Sequence, residues 1–111
     1  MSEIYDLQRG IADSEQFIAR RDKALKLYEN PEFKELFVDE YFVNEAARLV
    51  QISSDPALDA NQRADALAMA QATGHARRYL SIIVQMGNVA ERDLPVMRET
   101  LDELRAEEGA E

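Results

Sequence analysis

The chain has 111 residues, 46% hydrophobic and 32% charged, with four glycines, three prolines, no tryptophan and no cysteine. This length suits one domain or part of an assembly, and the lack of cysteine excludes disulfide staples and thiolate metal sites. A net charge of −9 opposes direct binding to nucleic acid or to an anionic membrane, both of which need lysine and arginine to neutralise negative charge.

Few glycines and prolines, with abundant Ala, Glu, Leu and Arg, predict an all-α protein. No apolar run approaches the roughly 20 residues needed to cross a bilayer. The start MSEIYDLQRG lacks the basic head and apolar core of a signal peptide. The expected setting is therefore soluble and unexported.

From Ile4 the apolar residues recur at Leu7, Ile11, Ile18, Leu25 and Tyr28, in alternating steps of three and four, with Ser14 and Arg21 occupying the stripe where it is interrupted. That spacing is a heptad pattern and predicts a first helix over about 3–29. Asn30-Pro31-Glu32 then gives an N-cap residue, a proline suited to the first helical position and an acid in the first turn. A second helix over about 31–52 follows, carrying Phe33, Leu36, Phe37, Val38, Tyr41, Phe42, Val43, Leu49 and Val50 among its apolar residues. Its stripe is too broad for a helix with one wet side, so it is expected to lie wedged between partners. Ser53-Ser54-Asp55-Pro56 ends it.

Asp59-Ala60-Asn61-Gln62 has the spacing of a capping box and opens a third helix. Its stripe runs Ala66, Met69, Thr73, Ala76, Leu80, Ile83, Gly87, Ala90, Leu94, Met97, Leu101 and Leu104 without a slip of phase. Two helices joined by a loop have no reason to share a register, so one long helix over about 60–107 is expected, roughly 70 Å in length. A kink near Glu91 is expected because Pro95 cannot donate to that carbonyl, and Glu107 to Glu111 is expected to fray. The competing arrangement is a compact four-helix bundle broken at Gly87-Asn88. The domain expectation is a single helical unit over 1–111, three helices with coiled-coil character, the first and third pairing along matching heptads.

The sequence offers little chemistry. His75 is the only histidine, and at three and four residues from it lie Gln71, Ala72, Arg78 and Tyr79, with no carboxylate to orient it. There is no Glu-x-x-His, no histidine pair, no phosphate-binding loop and no nucleophile elbow. Glu35 with Asp39, and Asp102 with Glu103, read as solvated charge. No catalytic residue, cofactor or metal is expected. A stripe of about six heptads exceeds what a 27-residue helix can cover, so the third helix is expected to need another subunit.

Asn30-Pro31-Glu32-Phe33-Lys34, Tyr41 to Val50, Arg77-Arg78-Tyr79 with Met86-Gly87, and the ending Leu101 to Glu107 resemble small helical proteins of tailed bacteriophages. The resemblance implies a virion or assembly component without enzymatic activity. The expected activity is association between helices, with copies of the chain or other virion proteins as partners. Leu94, Met97, Leu101 and Leu104 are the expected association residues, with Arg77, Arg78 and Tyr79 as a polar and aromatic contact patch. The competing reading is a small acidic inhibitor or adaptor that binds a host enzyme, as a mimic of nucleic acid.

Overall fold

The computed structural model describes residues 2–110, all helical apart from short connections. Helix α1 spans Glu3–Glu29, and Ser2 caps it by accepting the Tyr5 N–H on its hydroxyl at 3.0 Å. Helix α2 covers 31–53 in three continuous parts: one α turn over Pro31–Phe33, a π-helical stretch over Lys34–Glu45, and α-helix again over Ala46–Ser53. Helix α3 spans Ala60–Ala110 without interruption.

The start signals read from the sequence act as their chemistry requires. The Asn30 side chain accepts from the N–H groups of Glu32 at 2.9 Å and Phe33 at 3.0 Å, filling two of the donors that a helix start leaves unpaired. At α3 the capping box is reciprocal. Gln62 N–H donates to Asp59 Oδ1 at 2.8 Å, and Asp59 N–H donates to Gln62 Oε1 at 3.2 Å. Between them Asp55 Oδ1 accepts from Ala57 N–H at 2.9 Å and sets the turn.

Three sequence expectations need correction. The helix does not stop at Gly87-Asn88, so the four-helix alternative falls. The acidic end is helical to Ala110 rather than frayed from Glu107. Met69, expected in the buried stripe, is 59% exposed, and Ala70 takes the inner position instead. Met69 fits the three-four count, but the phase that buries Ala66 and Thr73 turns its long side chain to the flank.

The chain forms two compact units, one built from residues up to Leu25 together with those from Ile82 onward, the other from Lys26–Ser81. The division falls inside α1 and inside α3. In the first unit the start of α1 runs antiparallel to the end of α3. Leu7 lies by Thr100 and Leu104, Gly10 faces Met97, and Arg21 faces Gly87, so the numbers rise on one helix as they fall on the other. Ser14, Arg21 and Ala24 of α1 and Ala90, Leu94 and Leu101 of α3 are buried in this unit. The expected seam is therefore present, except that Leu25 is turned outward and Ala24 replaces it.

Arg21 is the unusual member of the seam, a cation only 8% exposed. Its stem crosses α3 at Gly87, where a Cβ would stand 2.1 Å from Arg21 Cβ and 2.8 Å from its Cγ. The glycine is there for close approach rather than to end the helix. The guanidinium then reaches past it to Glu91 Oε2 at 2.8 Å, Asn88 Oδ1 at 3.0 Å and its own neighbour Asp22 at 3.0 Å. The hydrogen bond from Arg21, with its charge, holds the Glu91 carboxyl below its ordinary value of 4.5. Arg48 does the same to Glu45 on α2.

A carboxyl whose folded value is depressed stabilises the fold above its unfolded value and loses that contribution as the pH falls through the folded one. Thermal melts from about pH 3 to pH 7 should therefore show stability falling below about 4.5. Glu91→Gln should flatten part of that fall. If the variant and the parent declined in parallel, the Arg21–Glu91 pair would contribute nothing to the acid limb.

Candidate association surface

Helix α2 carries more apolar side chains than the second unit covers. Only Phe42 and Leu49 of this helix are buried, while Leu36 is 56% exposed, Phe37 46%, Val43 56% and Val50 50%. The expectation that it lies wedged between partners is corrected within the chain itself, since one side of it faces solvent. A helix with apolar residues on every side is normally enclosed.

The π-helical winding decides which residues share that open side. Bonding from i to i+5 takes between four and five residues per turn, against 3.6 in an α-helix. Phe33, Phe37, Tyr41 and Phe42 then fall on one side. Phe33 stacks on Phe37 at 5.2 Å and 19°, Phe37 meets Tyr41 edge-on at 6.0 Å and Phe42 at 6.4 Å. Tyr28 at the end of α1 closes the row, edge-on to Phe33 at 5.8 Å. In α-helical winding Phe42 would point about 180° away from Phe33, so the π stretch is what brings the aromatic set together. Pairs of this kind contribute about 0.5–1.5 kcal/mol each beyond area burial, which offsets the poorer hydrogen bonding of the wide helix.

The same winding gathers Glu35, Leu36, Asp39, Glu40, Val43 and Asn44 on the opposite side, and all six are exposed. This outer face alternates apolar and acidic groups, with the three carboxylates lying between Leu36 and Val43. No ion pair reaches Glu35, Asp39 or Glu40 among the described residues.

On α3 the second unit buries Ala66 and Thr73, the latter with its hydroxyl satisfied by the Ala70 carbonyl at 2.7 Å. The first half of the long stripe is therefore not left bare. An outer row at helical spacing, Leu67, Gln71, Gly74 and Arg78, is exposed throughout, with Arg77 exposed beside it. Neither Arg77 nor Arg78 has an ion-pair partner among the described residues. Open space surrounds the Cβ position of Gly74.

The residues expected to carry association divide into two groups. Arg77, Arg78 and Tyr79 are exposed on α3. Leu94 and Leu101 are 7% exposed, and Met97 and Leu104 are half-buried against α1. These four side chains pack against α1 within the first unit, Leu94 and Leu101 buried and Met97 and Leu104 partly covered. The exposed face of α2 escaped the sequence reading because apolar residues lie on every side of this helix, and only the neighbours it packs against decide which side stays open. Leu36, Val43 and Val50, seven residues apart, were the available signal.

His75 is exposed on α3, and no group of three or more His, Cys, Asp or Glu side chains among the described residues is placed to hold a metal ion. An open groove in the first unit between Phe17, Met86 and Val89 carries Asp93 as its one charged group. No helix among the described residues is long and apolar enough to cross a membrane. The chain matches no family model, no curated protein and no solved structure.

Proposed function

We propose that the chain is a non-enzymatic structural or assembly protein, acting through helix-to-helix association, and a component of a phage virion. The observation that carries the association reading is the half-exposure of Leu36, Phe37, Val43 and Val50 on one helix, a concentration of apolar surface that a solitary protein gains nothing by exposing. The virion assignment rests on the resemblance of 30–34, 41–50, 77–79 and 101–107 to helical proteins of tailed phages.

The discriminating experiment is affinity capture from the native source followed by mass spectrometry, with Val43→Asp as the paired control. Other virion proteins, or further copies of the chain, should be recovered with the parent and lost at least tenfold with the variant. Recovery of a single host enzyme, released by moderate salt, would replace this reading with the inhibitor or adaptor alternative. That alternative is favoured by one observation, the unpaired carboxylates of α2, and steep salt dependence is its signature.

A further inference from the structure

We propose that the outer face of α2 docks on the outer row of α3 in a second copy of the chain, the two contacts being equivalent about a two-fold axis. The inference rests on the association reading and names its partner.

Charge identifies the occupant. Glu35, Asp39 and Glu40 stand unpaired on α2, and Arg77 and Arg78 stand unpaired on α3 of the same unit. Arg77 and Arg78 are adjacent in sequence and both exposed, so they form one doubly positive patch on a chain of net charge −9. An unrelated basic partner would satisfy the acids and leave the arginines bare, and an acidic one would do the reverse. A second copy satisfies both sets at once, because an isologous contact brings each patch to the other twice.

The apolar groups follow the same division. Leu36 and Val43 flank the carboxylates on α2, and Leu67, 46% exposed, heads the row on α3. Gly74 sits between Leu67 and Arg78 with no neighbour over it, leaving room for a side chain of the facing helix. Both rows are therefore mixed, an apolar and acidic one against an apolar and basic one. Each copy carries −9, but the Debye length at physiological salt is about 8 Å. Repulsion between the remote acidic segments is largely screened, while the contact pairs, closer than a Debye length, are screened less. The rows are short compared with the roughly 800 Å² per partner of a standard interface, so weak pairing is expected, in the micromolar range.

The test is sedimentation equilibrium on the full chain at about 100 µM, with circular dichroism to confirm that each variant keeps its helicity. The parent should dimerise, and raising the salt should weaken the dimer. Arg77→Glu with Arg78→Glu in one variant, and Glu35→Arg with Asp39→Arg in another, should each weaken self-association at least tenfold. Mixed in equal amounts, the two should form a heterodimer, because reversing both signs restores the match. No partner other than a second copy predicts that rescue.

A parent dimer unaffected by either charge variant would place the contact on another surface and overturn the proposal. A monomeric parent that still captures virion proteins, in a manner sensitive to Val43→Asp, would remove the second copy and leave the association reading standing. A monomeric parent with no such capture would remove both.

Discussion

Gly87→Ala should destabilise the chain, although the same change at an unobstructed helical position stabilises it. Alanine is favoured over glycine by about 1 kcal/mol inside a helix. Against this, the new methyl group would stand 2.1 Å from Arg21 Cβ, a separation at which atoms overlap. Cβ is fixed to the backbone of α1 and cannot swing aside as the tip of a side chain can, so the two helices must part. Overpacking of this kind costs about 1–3 kcal/mol, and the result should be a net loss of up to about 2 kcal/mol, read as a fall in the urea midpoint.

The second half of a double-mutant cycle makes the cause testable. Arg21→Ala keeps the nearest atom, the Cβ, and should give only partial relief, whereas Arg21→Gly removes it as well, so Gly87→Ala should cost little in that background. Equal costs in all three backgrounds would mean that the close approach does not set the role of Gly87.

Leu101→Asp is expected to be the most damaging single substitution, costing more than about 4 kcal/mol. Leu101 is 7% exposed in the seam with α1. The variant loses the burial of a leucine and places an unpaired carboxylate where water does not reach. Val43→Asp adds the same charge at a position 56% exposed and should stay within about 0.5 kcal/mol of the parent. Urea titrations of the two, followed by circular dichroism, separate core from surface. A Leu101→Asp protein with parental stability that no longer associated would put the late stripe at an interface rather than in the core.

The contrast between the seam around Leu101 and the face around Val43 shows how far the sequence could be read. Element boundaries were legible because they depend on neighbours in sequence: Asn30 with Glu32 and Phe33, and Asp59 with Gln62, act within three residues. The continuity of α3 was legible for a similar reason, since an unbroken phase is a local count carried a long way. Gly87 was ambiguous because glycine serves both as a helix stop and as a point of close approach. Only the residue opposite decides between them, and Arg21 lies 66 positions earlier. In the first helix Arg21 looked like an interruption of the apolar stripe. It is a stripe member whose stem is packed and whose charge is met by Glu91, Asp22 and Asn88.

The association face was the least legible part. The heptad count correctly found Leu94, Met97, Leu101 and Leu104 as residues that need covering, but a count of this kind cannot say which helix covers them, and α1 of the same chain does so. The exposed apolar residues of α2, Leu36, Val43 and Val50, stand seven apart and fit a heptad, but such a count cannot tell an open face from a covered one.

The pairing of the first residues of α1 with the last turns of α3 also sets an order of events during synthesis. The unit over Lys26–Ser81 is contiguous, and all of its residues have been made before most of the partner segment for Ile4, Ile11 and Arg21 exists. At about 5–20 residues per second, the ribosome takes seconds to move from Arg21 to Glu91, the residue its guanidinium will hold. Through that interval the apolar edge of α1 has no native partner, and a nascent chain is most exposed to wrong pairing with its neighbours on the same message. Placing an arginine rather than a leucine in the middle of that edge limits the apolar run left waiting, and the cation stays hydrated until Asn88 and Glu91 arrive to meet it in the seam.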